Sequence, residues 1–266
     1  MLRRRVIACL DVRGERVVKG VGFGDLRDVG DPVELAVRHE AEGADEIAFL
    51  DISATLEGRA TFLEVVRRTA ERLFVPLTVG GGIRSAEDGA RALRAGADKV
   101  SLNSAAVARP ETLDELAGRF GSQCVVASID ARLEHGAWRV WTHGGSRPSG
   151  LDAIEWARVC EWHGAGEVLL TSIDRDGTRS GYDLELTRAA VDAVRVPVVA
   201  SGGAGSAAHV VEVLARAGAD AALLAGTLHA GALGLGEIKQ AMAQAGLPVR
   251  RAPGTPAPDA EAPCSN

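Results

Sequence analysis

Two carboxylates end apolar runs at equivalent places in the two halves of the sequence. Asp11 closes the run VIACLD and Asp130 closes the run VVASID. Two carboxylates at one site can act as general acid and general base when their surroundings push their pKa values apart. Packing explains a carboxylate at the end of an apolar strand poorly. We therefore interpret Asp11 and Asp130 as catalytic, the alternative being that one or both only hold loops in place.

Two glycine-rich turns have the features of phosphate-binding connections. Each follows a short apolar run and precedes the start of a helix, in VGGGIRSAED around Gly82 and in ASGGAGSAAH around Gly203. Glycines let backbone N–H groups approach an anion closely, and a helix N-terminus favours negative charge. Because each half of the chain has one such turn, we predict a substrate with a phosphate at each end. For either turn alone, a tight strand-to-helix connection is an equal alternative.

Four charged residues precede or begin apolar runs, and so fall at the starts of predicted strands: Arg5, Glu46, Lys99 and Glu167. In a parallel barrel these side chains would gather at the end opposite the catalytic face. Their alternating signs suit a salt-bridged plug that only stabilises the fold. They also suit a gate to a passage.

The remaining polar residues give no evidence for a metal or a cofactor. The six histidines have no ligand spacing. The segment from Asp174 through Asp176 to Gly177 resembles the start of a calcium loop, but it lacks the further ligands and the closing Glu. We therefore expect no metal ion and no cofactor. We expect Thr171 and Asp176 to point inward under a loop that covers the substrate.

Composition restricts the classes of partner. The 266 residues carry a formal net charge of −6, which argues against a nucleic-acid-binding surface. The four cysteines form no CxxC pair, and no segment suits a signal peptide or a membrane span. These features are typical of a cytoplasmic globular enzyme with neither a nucleic-acid nor a membrane partner.

Short apolar runs alternate with helical patterns along the chain. The predicted barrel strands are Val6–Leu10, Ile47–Leu50, Leu77–Val79, Val100–Leu102, Gln123–Ile129, Val168–Thr171, Val198–Ala200 and Ala221–Leu224. Helices are predicted from Asp31-Pro32 to about Gly43, from about Thr61 to Leu73, from Ser85 with a capping box to Asp88, from near Pro110, and from about Leu151 to His163. Additional hairpin strands are predicted at Arg16–Lys19 and Trp138–Thr142, and a glycine-rich loop from Gly20 to Gly24.

The same strand–turn–helix pattern recurs after about 120 residues, which indicates an internal repeat. Eight strands alternating with helices predict parallel pairing with helical crossovers. We therefore predict an α/β fold, a (β/α)8 TIM barrel built from two similar half-barrels, over residues 1–250. A doubly wound open sheet is the alternative, but it usually carries one nucleotide site. The Pro-rich residues 251–266 are predicted to form a disordered tail.

Together these motifs resemble the cyclase subunit of imidazole glycerol phosphate synthase, from histidine biosynthesis. The resemblance extends from Arg5 to about Arg250 and includes RVIACLDV, FLDISAT, TVGGGIR, GADKVSLN, ASIDAR, LLTSIDRDGTRSGYD and ASGGAG. It implies a lyase with a repeated (β/α)8 barrel and no cofactor. It also implies that ammonia from a glutaminase partner, held in a heterodimer, cleaves and cyclises a ribulosyl aminoimidazole carboxamide nucleotide with two phosphates. The products would be imidazole glycerol phosphate and an aminoimidazole carboxamide ribotide.

The resemblance also implies a role for individual residues. Asp11 and Asp130 would handle the protons. The substrate would be held by Lys19, Asp51, Gly82, Asn103, Ser104, Thr171, Asp176, Gly177, Ser201, Gly203 and Gly226, with Gly82, Asn103 and Ser104 around one phosphate and Asp176, Gly177, Gly203 and Gly226 around the other. The ammonia gate and the partner interface would comprise Arg5, Glu46, Asp98, Lys99, Gln123 and Glu167.

The sequence departs from the family pattern at three places. Gly22 replaces a frequent Asn, Gly144 replaces a hydroxyl found in some members, and the segment AGTLHAG after the last strand lacks a bulky aromatic residue. The sister isomerase of the same pathway is one alternative function, although CLDVRGERVVKG and the four basal charges favour the cyclase. A non-catalytic phosphosugar-binding subunit is another, although both aspartates are retained.

Overall fold

The computed structural model describes residues 3–21, 24–51 and 62–250. Its strands are β1 Arg5–Arg13, β2 Arg16–Val21, β3 Gly24–Gly30, β4 Glu46–Asp51, β5 Leu77–Gly80, β6 Lys99–Leu102, β7 Val125–Glu134, β8 Ala137–Thr142, β9 Arg147–Asp152, β10 Glu167–Ser172, β11 Val198–Ser201 and β12 Ala221–Leu224. Its α-helices are α1 Pro32–Ala41, α2 Leu63–Ala70, α3 Ala86–Arg94, α4 Ser104–Ala108, α5 Glu111–Phe120, α6 Ala153–Trp162, α7 Leu184–Ala193, α8 Ala207–Ala215, α9 Gly226–His229 and α10 Leu235–Gln244.

Eight parallel strands form a closed ring in the order β1, β4, β5, β6, β7, β10, β11 and β12. The ring closes where β1 pairs with β12, with Arg5 opposite Ala221. The predicted (β/α)8 barrel is therefore confirmed. The open sheet is excluded, because no strand of the ring is left as an edge.

Apolar side chains pack in two separate cores. The larger one lies between the ring and its helices, and its biggest fully buried members include Phe49, Leu113 and Leu214. The smaller one lies inside the barrel and consists of Ile7, Cys9, Ala48, Val126, Leu169, Val199, Ala221 and Leu223. Inward residues alternate along each strand, so this apolar interior separates the two ends of the barrel.

Local capping signals place several helices as predicted. The Asp31 carboxylate accepts from the N–H groups of Val33 and Glu34, and Pro32 is the first residue of α1. At α3, the predicted capping box is present, because Ser85 and Asp88 satisfy each other's backbone N–H groups. Side-chain caps of this kind fix where a helix begins, and they explain why these starts could be read from the sequence.

Three Gly-Ala-Asp segments fasten neighbouring strands at the base of the barrel. Asp45 Oδ2 accepts from Val6 N at 2.8 Å, and Asp98 Oδ2 accepts from Leu77 N at 2.8 Å. Asp220 Oδ2 accepts from Val198 N at 3.0 Å. In each case the aspartate's own N–H donates back to the carbonyl of the same partner residue. We call these three aspartates the basal latches.

Some boundaries differ from the sequence prediction. Gln123 was predicted to begin a strand but lies in a 3-10 turn, Ser122–Cys124, and β7 starts only at Val125. The prediction was wrong because the chain is still turning after α5: Gly121 has φ +90°, and Cys124 N donates to its carbonyl. Leu151 was predicted to begin a helix, yet it belongs to β9, and α6 starts at Ala153 after the Asp152 cap.

Two hairpin partners were not predicted. Strand β3 pairs with β2, although a loop was expected from Gly20 to Gly24, and β9 pairs with β8. Gly22 and the tail 251–266 lie outside the described residues. Within the described ranges, no helix is both long and apolar enough to cross a membrane.

Candidate active site

The carboxyl ends of the ring strands form a mouth that carries Asp11 and Asp130. Asp11 follows Cys9 on the inward face of β1, and the Cys9 thiol lies 3.9 Å from Asp11 Oδ1. Burial raises the pKa of Asp11 to about 7, and the nearby negative charge of Asp176 adds to the effect. The weak contact with the thiol opposes it only in part. Asp11 is therefore an acid that can still hold its proton near neutral pH.

Asp130 has a stronger hydrogen-bond donor than Asp11. Asn103 Nδ2 donates to Asp130 Oδ2 at 2.9 Å. Burial raises the pKa of Asp130 to about 6, while this donation lowers it and the charge of Asp176 raises it. The two aspartates thus occupy equivalent strands but have different surroundings, which is the arrangement that acid–base chemistry requires.

Asp176 stands in the loop after β10, within electrostatic reach of both aspartates. Although it reaches the surface, partial burial of its carboxylate raises its pKa, and the Gly177 N–H opposes this by donating to it. On the strands beside it, Thr171 lies opposite both Asp130 of β7 and Ser201 of β11. Thr171 and Ser201 thus lie at the carboxyl ends of their strands, at the mouth end of the barrel.

The two glycine turns have closely similar geometry. Gly81 and Gly82 have φ of +86° and +70°, and Gly202 and Gly203 have φ of +91° and +98°. A Cβ on Gly81 would lie 2.2 Å from the Asp51 carbonyl oxygen, so only glycine fits there. The two halves of the barrel therefore carry one such turn each at the mouth, where the absence of a Cβ lets the backbone approach a ligand closely.

Other predicted substrate residues lie at the same end. Asp51 ends β4 and is buried, and Ser104 Oγ accepts from His143 N at 2.9 Å. Gly226 begins the short helix α9 after β12. Lys19 belongs to β2, opposite Arg27 of β3, but its side chain lies outside the description. In the ranges 3–21, 24–51 and 62–250, no group of three or more His, Cys, Asp or Glu residues is placed to hold a metal ion.

The four charges predicted at the strand starts meet at the base of the barrel. Arg5 contacts Glu46 at 2.6 Å and Glu167 at 2.5 Å, and Lys99 Nζ contacts the same two carboxylates at 3.1 and 2.8 Å. Burial alone would lower the pKa of Arg5, but the two glutamates outweigh it and raise that pKa above its ordinary value. We call these four residues the basal ring.

Comparison with known proteins identifies the family of this barrel. A family model described as "Histidine biosynthesis protein" matches residues 5–234. The imidazole glycerol phosphate synthase subunit HisF of Myxococcus xanthus (strain DK1622) is 66% identical over 250 residues, which are 94% of this chain and 99% of that protein. The subunit of the same name from Gluconacetobacter diazotrophicus is 59% identical over 259 residues, 97% of this chain and 100% of that protein.

The chain belongs to the HisF family.

It is thus a cyclase subunit of imidazole glycerol phosphate synthase, an enzyme of histidine biosynthesis. This agrees with the resemblance carried by the sequence motifs.

The sequence did not reveal several contacts that shape the site. The Cys9 thiol beside Asp11 could have been suspected, because alternate residues of a strand face the same side. The Trp141 carbonyl, which accepts from Asn103 Nδ2 at 3.1 Å, could not, because the contact depends on the register of the β7–β8 hairpin.

Proposed function

We propose that this chain uses ammonia from a glutaminase partner to convert the bis-phosphorylated ribulosyl aminoimidazole carboxamide nucleotide. The products are imidazole glycerol phosphate and an aminoimidazole carboxamide ribotide. The observation that carries the proposal is the pair Asp11 and Asp130, two aspartates of raised pKa at one mouth between twin glycine turns. The protein acts in the cytoplasm as one subunit of a heterodimer.

The two aspartates divide the proton transfers. Asp11, with the higher pKa, donates the proton that lets the carbonyl oxygen leave as water during imine formation. Asp130, whose carboxylate accepts from the Asn103 amide, has its ionised form favoured and accepts protons during ring closure and bond cleavage. The negative charge of Asp176 raises the pKa of both Asp11 and Asp130, and so favours their protonated forms.

The phosphates occupy the two glycine turns. Gly82 and Ser104 hold one phosphate, and the Ser104 hydroxyl remains able to donate because it only accepts from His143 N. Gly177, Gly203 and Gly226 surround the other. The middle of the substrate contacts the strand ends through Asp51, Thr171 and Ser201, and Lys19 of β2 is assigned to the reacting end by the family resemblance.

Ammonia reaches the mouth through the barrel. The basal ring stands at one end, and the inward positions of β6 lead from Lys99 through the buried Ser101 to Asn103 at the other. The apolar side chains beside them make entry costly for an ion and less so for an uncharged molecule.

We expect Lys99→Ala to impair the glutamine-fed reaction about tenfold and the ammonia-fed reaction about twofold, because the two glutamates lose a buried partner and the ring reorganises. Both rates are measured on the complex with the glutaminase. Arg4→Ala is the matched control, since Arg4 bonds Asp220 outside the ring and should leave both rates unchanged. Equal losses in the two assays would argue against a conduit.

The partner docks on the base of the barrel, around Asp98. In two of the basal latches the second oxygen is neutralised within the chain: Lys239 Nζ lies 2.7 Å from Asp45 Oδ1, and Arg4 Nη1 lies 2.9 Å from Asp220 Oδ1. Among the described residues, Asp98 has no such cation, and it is exposed. It also lines a surface pocket with Phe74, whose side chain is 92% exposed.

Exposed aromatic rings are enriched at interfaces, and a carboxylate without a cation beside the ring can pair with a charge on the partner. Gln123 is exposed at the same end of the barrel. These features support a partner surface that presents a cation to Asp98 and an apolar group to Phe74.

Asp98→Asn should weaken partner binding about tenfold, which is about 1.4 kcal/mol. The amide oxygen can still accept from Leu77 N and keep the latch, but the charge is lost. Calorimetric titration with the glutaminase measures the effect. Glu155→Gln, an exposed carboxylate in the first turn of α6 near the mouth, is the control and should bind normally. Unchanged affinity of Asp98→Asn would place the interface elsewhere.

The experiment that tests the function uses the purified chain with the ribulosyl nucleotide and an ammonium salt at alkaline pH, following loss of substrate absorbance. Turnover supports the cyclase assignment, and added glutaminase with glutamine then tests the partnership. Conversion of the aldosyl precursor to the ribulosyl form, without cyclisation, would instead make the chain the isomerase. Binding without either reaction would make it non-catalytic.

A further inference from the structure

Asn103 occupies an N-cap position but does not cap the helix with its side chain. It precedes α4, and asparagine is among the best N-cap residues, yet its side chain makes no capping hydrogen bond. Five other helices, α1, α3, α6, α7 and α8, do have a side-chain cap from Asp or Ser. The Asn103 amide instead forms hydrogen bonds with Asp130 and with the Trp141 carbonyl at the mouth.

Both N–H bonds of the amide are engaged there. Asn103 Nδ2 donates to Asp130 Oδ2 at 2.9 Å and to the Trp141 carbonyl at 3.1 Å. Trp141 lies directly opposite Asp130 across the β7–β8 hairpin. An amide nitrogen has two hydrogens, so none remains for a phosphate. The buried Asn103 Oδ1 has no hydrogen-bond partner among the described residues, and as an acceptor it would repel an anion.

The hairpin that receives this amide is itself held in place. The Trp141 indole N–H donates to Glu134 Oε1 at 2.8 Å, and the Arg132 guanidinium stands 4.0 Å from the centre of the Trp141 ring. Asn103 therefore links Asp130 to a residue of the hairpin, Trp141, whose own side chain is held by Glu134 and Arg132.

The other half of the barrel shows what the same turn looks like without the amide. Ala225 precedes α9 with φ −125° and ψ −89°, close to the −118° and −84° of Asn103. The turn therefore does not require an asparagine. Asp11, the counterpart of Asp130, has only the Cys9 thiol as a described side-chain donor. The half of the barrel with Asn103 thus has an amide donor to its aspartate, Asp130, whereas the half with Ala225 has only a thiol beside Asp11.

We propose that Asn103 is a positioning residue that holds the Asp130 carboxylate against the β7–β8 hairpin and so makes Asp130, rather than Asp11, the proton acceptor. The inference rests on the proposed function and refines it. The family resemblance implies a phosphate contact for Asn103, and the inference assigns its side chain to Asp130 instead. The pKa values agree, because burial raises both but the Asn103 donation keeps that of Asp130 at about 6, below the value of about 7 at Asp11.

The first arm of the test needs no substrate. In the chain labelled with carbon-13 at aspartate carboxyls, the Asp130 signal is identified by its absence in Asp130→Asn and is titrated with pH. In Asn103→Ala, which copies the Ala225 geometry and should therefore fold, the Asp130 pKa should rise by about one unit, because a donor to the charged form is lost. An unchanged Asp130 titration would overturn the inference. Asn103→Leu, close in size and without a donor, repeats the test should the alanine variant fail to fold.

The second arm uses ammonia-fed turnover, corrected for the fraction of free ammonia. Asn103→Ala should lower kcat at pH 7 about tenfold, about twofold from the smaller ionised fraction of Asp130 and the rest from a carboxylate that is no longer held in place. It should leave KM for the nucleotide within about twofold and move the acidic limb of the kcat/KM profile upward by about one pH unit. A tenfold rise in KM at unchanged kcat would instead make Asn103 a phosphate ligand and overturn the inference. Absence of turnover in the unmodified chain would count against the proposed function, while the carboxyl titration would still decide the role of Asn103.

Discussion

Replacing Asp11 with asparagine is expected to reduce ammonia-fed turnover by about a thousandfold or more while leaving nucleotide binding within about twofold. The two side chains have nearly the same size, so the mouth keeps its shape, but the amide cannot donate an acidic proton. Steady-state rates with an ammonium salt measure the first effect, and calorimetric titration with the nucleotide measures the second.

Asp192→Asn is the matched control for this substitution. Asp192 is an exposed residue of α7 that pairs with Arg188 and does not belong to the mouth. The Asp192→Asn variant should therefore have normal turnover. Normal turnover by Asp11→Asn would remove Asp11 from the acid–base pair. A parallel loss of binding and turnover would mean instead that the carboxylate contacts the substrate.

The largest effect on stability is expected from Lys239→Met. Lys239 on α10 bonds Asp45 Oδ1 at 2.7 Å and the Arg250 carbonyl at 2.9 Å, and the paired side chains are only 10% and 5% exposed. Removing the lysine leaves a buried carboxylate without its cation, which costs about 3–5 kcal/mol of unfolding free energy. Since Asp45 also latches Val6, both α10 and β1 lose support.

Thermal unfolding monitored by circular dichroism should show a fall in Tm of about 10 °C for Lys239→Met. Arg158→Ala removes an exposed ion pair with Glu155 and should change Tm by no more than about 1 °C. If both variants unfold at the same temperature as the unmodified chain, the contact between Lys239 and Asp45 contributes no net stability.

Local signals account for the features that the sequence predicted well. The Asp31-Pro32 start of α1 and the Ser85–Asp88 box of α3 involve residues a few positions apart, so each could be identified without knowing the fold. The positions of Asp11 and Asp130 at the mouth follow from the fold class alone, because strand ends share one face of a barrel.

Features that depend on distant pairing could not be predicted. Strand β3 has no alternating pattern and is a strand because β2 pairs with it. The contact of Asn103 with the Trp141 carbonyl joins residues 38 positions apart and requires the exact register of a hairpin. Arg4 and Lys239, from opposite ends of the chain, supply a cation to Asp220 and Asp45, whereas the exposed Asp98 has none among the described residues.

Closure of the barrel between β1 and β12 has a consequence for synthesis. Arg4 and Asp220, which bond across this seam, lie 216 residues apart. At about 5–20 residues per second a ribosome needs about 10–40 s between them, and during this time one edge of β1 has no partner strand. Such an edge can recruit other nascent chains, and charged residues are the usual protection. The arginine run of residues 3–5 lies at the start of this edge, which stays unpaired until β12 has been made.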